Sequence, residues 1–590
     1  MSLNHQLSDL FATMAALMDL KGASPFKAIA FSKISRVLKD MTFDIKEAVE
    51  KGTLKDIEGI GPASRKMIEE FVRTGRSTDF EEVAASVPPG LIPMLEIPGL
   101  GPKTIATIWK ERGVTSIEGL VKAIDEGKLE GLKGIGAKKI EGIKQGITIR
   151  SQSAGRMGIA HALPIAEALV QRLREMKQVK RAEYAGSLRR RRETVGDLDL
   201  VCCVADSTGP AVVEAFTRFP EVERVLGQGP TKGSVITAGG LQVDLRVVPV
   251  ENFGAALLYF TGSKDHNVKL RGRALDMDMT LNEWGLYDLA AHEVAQKKTG
   301  EPPQLKPVAS KAEEDVYRKL KLAYVEPELR EDRGEVEAAE AGTLPKLVTV
   351  ADVRGDLHTH TTASDGTASI EQMADAALAR GYAFLAITDH SKSQVIANGL
   401  TAERLLKHTA AIRKANDRYR GQITLLAGCE VDILTDGSLD FDETVLAELD
   451  IVVASPHIAL KQDPVKATDR IRRAIDARYV NIIGHPTGRL IGGREGLPVD
   501  FSKLFPLAAS NGTAMEINSG YPRLDLHDVN ARAALQAGCL LSINTDAHGT
   551  DGFDEIVYGI GVARRAWATA ENVVNCMSTQ ALRAFLARKR

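Results

Sequence analysis

From residue 351 onward the chain alternates short apolar runs with helical stretches, and the runs end in acids and imidazoles. They read FLAITDH (384–390), ITLLAGCEVDI (423–433), LDIVVASPHI (449–458), VNIIGHP (480–486), TAMEINSG (513–520) and CLLSINTDAH (539–548). Apolar strands separated by helices mark a parallel sheet covered by its crossover helices, and their regular repetition predicts a barrel-like α/β domain. In such a barrel the strand ends of one face gather the chemistry. His358 and His360, at i and i+2, share one strand face, and Asp546 and His548 repeat that spacing. His390, Glu430, His457 and His485 each end a strand. A single strand-end histidine is usually structural. A series of them interleaved with carboxylates is a metal-binding donor set, and imidazole with carboxylate suits Mn²⁺ or Zn²⁺ more than Mg²⁺.

A second repeated feature lies upstream. IEGIGP (57–62), IPGLGP (97–102) and LKGIGA (132–137) share one glycine spacing, and each precedes a helical segment bearing Lys or Arg. Two glycines permit a tight turn and close backbone approach. The following helix then begins with free N–H groups and a positive dipole end, ready to hold a phosphate. One copy would read equally well as a helix cap. Three copies point to Gly59, Gly61, Gly99, Gly101, Gly134 and Gly136 as grips on a nucleic-acid backbone, without base readout.

Between these halves, 155–325 reads as α+β. Residues 186–200 are GSLRRRRETVGDLDL. Asp197 and Asp199 open an apolar strand, and strand period two puts both carboxylates on one face. Like charges that close repel unless a cation lies between them. Asp244, inside the strand-like run LQVDLRVV (241–248), is a third acid. Three converging carboxylates form a hard-oxygen site suited to Mg²⁺. Two such ions, ~4 Å apart, would activate a 3′-hydroxyl and stabilise a leaving pyrophosphate. Gly186 and Ser187 would offer backbone and hydroxyl contacts to phosphate, with Arg190 adding charge. An isolated Asp-x-Asp is usually a solvated strand end; its combination with GSLRR is not.

Residues 1–325 resemble the X family of DNA polymerases, the DNA polymerase beta-like enzymes, through GSLRR (186–190), GDLDL (196–200), VDLR (243–246) and YFTGS (259–263). The resemblance implies Asp197, Asp199 and Asp244 as catalytic metal ligands, with Asp244 activating the primer hydroxyl. It implies nucleotide contacts from Gly186, Ser187, Arg190, Tyr259, Phe260, Gly262 and Asn267, and a template contact from Arg271. In lyase-competent relatives the helix after the first glycine turn carries a Schiff-base lysine. Met67 stands there, and a thioether forms no Schiff base; strong lyase activity is not expected. Residues 351–590 resemble the polymerase-and-histidinol-phosphatase (PHP) domain. That implies up to three ions on His358, His360, Asp365, His390, Glu430, His457, His485, Asp546 and His548, with Glu430 bridging. His408 and His527 fall outside the pattern and read as surface residues.

The expected fold is multi-domain. It comprises a lyase-like helical domain with the first helix-hairpin-helix (1–85), a helix-hairpin-helix DNA-binding region (86–154), an α+β nucleotidyltransferase palm (155–265) and a thumb (266–325). An acidic linker (326–350) then leads to a distorted (βα)7 PHP barrel (351–590). Hydrophobic residues at 44% and charged residues at 26% are ordinary for soluble globular protein. No uncharged apolar run is long enough to span a membrane, and the first 20 residues, with Asp9 and Asp19, read as an amphipathic helix. Five cysteines without a CxxC pair fit a reducing, cytoplasmic, nucleoid-associated setting. The net charge of −2 does not identify a DNA-binding protein; the local motifs do.

The reading is a gap-filling repair polymerase, acting on gapped or primed DNA with dNTPs and Mg²⁺, joined to a 3′–5′ exonuclease using Mn²⁺ or Zn²⁺, in a monomer. The alternatives are a DNA-binding scaffold with degenerate sites, a small-molecule phosphatase, or a polymerase whose PHP domain is a 3′-phosphatase or AP endonuclease.

Overall fold

The computed structural model describes the chain except residues 1–2, 23–24, 40–44, 58, 92–93, 95–96, 98–99, 133, 137–138, 141–142, 145–146, 148–155, 206, 300–304, 492–495 and 590. The chain forms two compact units, Met1–Gly155 and Arg156–Arg590.

The first unit is helical, as the sequence predicts. Leu7, Phe11, Met14, Ile34 and Ile68 form one apolar cluster, and Leu91, Ile105, Ile108 and Leu120 belong to a second. The glycine turns share one hydrogen-bond plan. In each, the amide after the first glycine (Ile60, Leu100, Ile135) donates back three residues, to Ile57, Ile97 and Leu132. In each, the second glycine's carbonyl accepts from the amide four residues on (Arg65, Ile105, Ile140). Gly61 and Gly101 are N-caps, with Pro at the first position of helices Pro62–Thr74 and Pro102–Arg112. Nothing lies within 4 Å of a Cβ built at Gly61, Gly101, Gly134 or Gly136, so these backbones face open space. Gly99 lies outside the described residues. Met67 is 2% exposed in the first cluster, whereas Lys66 is exposed.

The second unit holds a five-stranded sheet and a seven-stranded barrel. The sheet runs, in spatial order, Val179–Tyr184, Asp197–Val204, Gln242–Pro249, Lys232–Thr237 and Val222–Gln228. Asp197–Val204 and Gln242–Pro249 are parallel neighbours, and the register sets Asp199 beside Asp244. The barrel strands, all parallel, are Gly355–Asp356, Phe384–Ile387, Thr424–Asp432, Ile451–Ser455, Ile482–Ile483, Ala514–Asn518 and Leu541–Asn544. A bridge between Thr359 and Ala547, just beyond the first and last strands, brings their ends together and nearly closes the ring. Alternate residues separate into two cores: Phe384 and Ala386 pack with Ile451, Val453 and the C-terminal Leu582 and Phe585, whereas Leu385 and Ile387 pack with the surrounding helices. Period two carries the first row onward to Thr388 and His390, and the row of Ile451 and Val453 onward to Ser455 and His457.

Residues 326–350 are packed, not a loose connector. They form a turn at Pro327–Leu329 and a helix at Glu335–Ala341. Arg330, fully buried, donates to Glu313 at 2.6 Å, and the buried Glu335 meets His266 at 2.6 Å. The acidic composition suggested solvation because each charge's partner lies far away in sequence.

Ion pairs lock the sheet region to the barrel. Arg565, 3% exposed, donates to Glu331 and to the Arg190 carbonyl at 2.8 Å each, and pairs with Asp528 at 2.8 Å. Arg489 pairs with Glu193, and Arg564 with Glu328 at 2.7 Å. Arg565→Ala removes a buried guanidinium shared by Glu331 and Asp528, which keep Arg190 and Arg333 as partners, so it should destabilise the second unit by roughly 1–3 kcal/mol. Chemical denaturation of wild type and variant checks this, and an unchanged midpoint would contradict it.

Candidate active sites

The sheet site is built by strand register. Asp197 opens its strand, Asp199 follows two residues on, and Asp244 sits beside Asp199 on the parallel neighbour. Burial, together with the charges of Asp197 and Asp244, pushes the Asp199 carboxyl up to about 7. Burial and Asp244 also raise Asp197. Carboxylates crowded enough to hold protons near neutrality form a cation site by their own repulsion. Lys232 stands 3.0 Å from Asp244 Oδ2, and Gln242 Nε2 donates to its Oδ1 at 3.3 Å, fixing that carboxylate's orientation.

Gly186 has φ +61°, and a Cβ there would fall 2.4 Å from Asp199 Oδ2. Only glycine lets this turn lie against the acids. The remaining expected nucleotide contacts are strung together nearby. Asn267 Nδ2 donates to the Tyr259 carbonyl at 2.7 Å, Arg271 Nε donates to the Asn267 carbonyl at 3.4 Å, and the Phe260 ring lies under the Arg246 guanidinium. Tyr259 is 37% exposed. Ser187 is half-buried on the Gly186–Arg189 turn. Arg190 is not free: it donates to the Thr261 carbonyl, beside Gly262, and its Nε donates to Glu331 at 3.1 Å.

The barrel site gathers every acid and imidazole expected of it. His358, His360, Glu430 and Asp546 form one cluster of close ligand atoms; His360, Asp365, His390 and His548 form a second; His390, Glu430 and His457 form a third. Five imidazoles face the two oxygens of Glu430. His485 Nε2, His358 Nε2 and His457 Nε2 stand 2.9, 3.3 and 3.3 Å from Oε1, and His390 Nδ1 and His360 Nε2 stand 2.7 and 3.7 Å from Oε2. Burial pushes the Glu430 carboxyl up, but His457, His358 and His390 outweigh it and hold it well below the usual range. Burial, with the neighbouring His390, takes His360 down to about 4. His485 and Asp546 adopt φ of +23° and +56°, left-handed conformations that non-glycine residues rarely take and that collect at functional sites.

The donor set fits metal ions. His358 Nε2, both Glu430 oxygens, His457 Nε2, both nitrogens of His360 and of His485, and Asp546 Oδ1 are buried without a hydrogen-bond partner. Orphaned polar atoms are costly unless something coordinates them. The second nitrogens of His358 and His457, by contrast, are engaged. His358 Nδ1 meets Glu516 Oε1 at 2.8 Å, and His457 Nδ1 meets Asp432. Glu516 also accepts from the His485 amide at 2.6 Å and from Asn544 at 2.8 Å.

Sequence reasoning missed Glu516, Asp432, Asp389 and Arg523. Glu516 sits within TAMEINSG, an acid inside an apolar strand, which is the same signal that singled out Asp244. His408 and His527 are not surface residues. His408 Nε2 lies 2.8 Å from Asp389, which also holds Thr361 and Ser364 beside Asp365. His527 Nδ1 accepts from the Val529 amide and caps the helix Asp528–Gln536. Arg523 Nε approaches Asp546 Oδ2 at 3.8 Å and brings positive charge to the site.

Family models match as a helix-hairpin-helix domain (2–77), a SAM-like helix-hairpin-helix tandem (91–147), a DNA polymerase beta thumb (256–331) and a PHP domain (356–498). The DNA polymerase/3′-5′ exonuclease PolX of Bacillus subtilis (strain 168) is 38% identical over 581 residues, 98% of each chain. The chain belongs to the family X DNA polymerases that carry a PHP domain. Probable phosphatases match a smaller part of the chain; that of Thermoanaerobacter sp. (strain X514) is 29% identical over 231 residues, 37% of this chain and 89% of its own.

If Glu516 orients His358 and the backbone at His485, Glu516→Gln should weaken metal binding at the barrel by about 10- to 100-fold while the fold persists. Titration of the metal-free protein with Mn²⁺, read by calorimetry, checks this. Unaltered affinity would remove Glu516 from the site.

Proposed function

We propose that this chain is a DNA-directed DNA polymerase that fills short gaps during DNA repair and trims DNA from the 3′ end with its PHP barrel. The observation that carries the proposal is the presence, in one chain, of a crowded aspartate triad and a complete ring of orphaned imidazoles around Glu430.

In the polymerase half, Asp197 and Asp199 hold cations at the strand end, and Asp244, steered by Lys232 and Gln242, takes up the proton of the primer 3′-hydroxyl. Bound divalent ions, Mg²⁺ in this reading, would supply the charge that activates the hydroxyl and stabilises the departing pyrophosphate. Gly186 and Ser187 offer the triphosphate an amide and a hydroxyl. Arg190 joins them by exchanging Glu331 for phosphate. The Tyr259–Phe260 pair packs against the sugar, and Asn267 and Arg271 line the approach of the base pair. The open glycine turns grip the DNA backbone by their amides, with Gly99 assigned to the same role by motif. Met67, apolar and buried, puts no amine at the position of the family's Schiff-base lysine.

In the barrel half, His358, His360, Asp365, His390, Glu430, His457, His485, Asp546 and His548 hold up to three ions. Their imidazole content favours Mn²⁺ or Zn²⁺. Glu516, Asp432 and Asp389 keep ring orientations fixed, and Arg523 meets the scissile phosphate. The match to probable phosphatases supports a second reading, release of a terminal phosphate instead of a nucleotide. Comparing product size from a 3′-phosphorylated and a 3′-hydroxyl strand decides between them.

No described helix is long and apolar enough to cross a membrane. We assign the chain to the cytoplasm, at the nucleoid, as a monomer acting on gapped or primed DNA and dNTPs. Asp244→Ala should abolish nucleotide addition and leave 3′-end digestion in Mn²⁺ intact, and Glu430→Gln should do the reverse. Primer-extension and digestion assays on the two variants check this. Loss of both activities in either folded variant would contradict separate sites.

A further inference from the structure

Ile396 is 104% exposed and Val395 is 81% exposed, and Ile396 is the most exposed large apolar side chain among the described residues. Isolated surface apolar side chains are ordinary. These two are adjacent, and their place is not ordinary. They form the tip of the loop that leaves the metal-ligand strand at His390. The loop is held as a compact unit. The Gln394 amide donates to Ser391, the Asn398 amide to Val395, the Gly399 amide to Gln394 at 2.9 Å, and the Leu400 amide to His390 at 2.8 Å. Gly399 is required for the closure, because a Cβ there would fall 2.0 Å from the Ser391 carbonyl.

Several of the loop's polar groups bond to residues that support the site. The Ser393 hydroxyl and Gln394 Nε2 donate to Asp432, the carboxylate that also engages His457. The Ser393 amide donates to Asp440 at 2.7 Å. Asn398 Nδ2 donates to the Ser364 carbonyl, one residue before Asp365. Six residues of chain reach at most ~20 Å, so the tip stays within that distance of His390. On the opposite flank Ile458, next to His457, is 41% exposed.

The occupant that this arrangement fits follows from the chemistry of the site. Glu430 and its imidazoles are buried, so a scissile phosphate must descend into the ring. A duplex end is too broad to follow it unless the last base leaves its partner. Unstacking is favoured where apolar side chains take the vacated position, as wedge residues do in proteins that open base steps. Val and Ile are stiff at χ1, so little side-chain freedom is lost when they are covered.

We propose that Val395 and Ile396 form an apolar wedge on which the terminal base pair of a DNA 3′ end splays, so that the loop 391–400 sets how well the barrel digests paired ends. The inference rests on the exonuclease reading above. The test uses the full chain with Mn²⁺ and follows digestion of one labelled strand, alone and as the blunt end of a duplex. The readout is the ratio of duplex to single-strand rates for wild type, for Val395→Ser/Ile396→Ser, and for Ile396→Phe. If a base stacks on the tip, the double variant lowers the ratio about tenfold or more. The Phe variant, which retains an apolar stacking surface, keeps the ratio near wild type. An unchanged ratio in the double variant overturns the wedge while leaving the exonuclease in place. Absence of nucleotide release from either substrate by the wild type overturns the exonuclease reading, and the wedge with it.

Discussion

The barrel half is organised by one buried carboxylate. Glu430 carries its charge where water does not reach, and an ionised carboxylate placed there is prohibitively costly unless surrounded by opposite charge. Five imidazoles, from four strand ends, provide that surrounding. Pairing of consecutive parallel strands brings these ends together, and a bridge between Thr359 and Ala547 nearly closes the ring. The inward rows of the strands begin as apolar packing around Leu582 and Phe585 and finish as ligands. Core and site are thus two ends of the same alternation, and the barrel's closure and its chemistry stand or fall together.

The second site solves the opposite electrostatic problem. Asp197, Asp199 and Asp244 crowd carboxylates together, and burial with the charges of Asp197 and Asp244 raises Asp199 to about 7. A site of oxygens favours hard cations and a site rich in nitrogen favours transition metals, so on the proposed reading donor type would keep two metal chemistries apart in one chain. The two regions are not independent bodies. Arg565 of the barrel half donates to Glu331 and to the backbone of Arg190, and Arg190 pairs with the same Glu331. The residue expected to meet the triphosphate is therefore held, in this structure, by a carboxylate that the barrel half helps to fix.

Much of this was legible in the sequence because both sites lie on strands, where period two converts spacing into direction. Asp197 and Asp199 could be placed on one face, and the strand-end imidazoles on one rim, without knowing the fold. The repeated glycine spacing likewise named turns that prove to share one hydrogen-bond plan. What escaped depended on contacts distant in sequence. Arg330 and Glu335 looked like solvated linker charges because Glu313 and His266 are not near them in the chain. His408 reaches the site only through Asp389, and His527 acts on a helix end, so neither could be assigned from a ligand pattern. Glu516 was missed because it lies within its strand and not at the end, although an acid in an apolar strand carried the same signal at Asp244. Arg190 was singled out from its motif, but its partner Glu331 is supplied by the segment taken for a linker.

The central claim is that one chain both builds and removes the DNA 3′ end at separate metal sites. The most direct measurement is a time course on a gapped duplex with a labelled primer, in Mg²⁺ and in Mn²⁺, with and without dNTPs. The account predicts primer extension across the gap when dNTPs are present, and stepwise shortening from the 3′ end in Mn²⁺ when they are withheld. A primer that lengthens but never shortens, or that loses only a terminal phosphate, would contradict it.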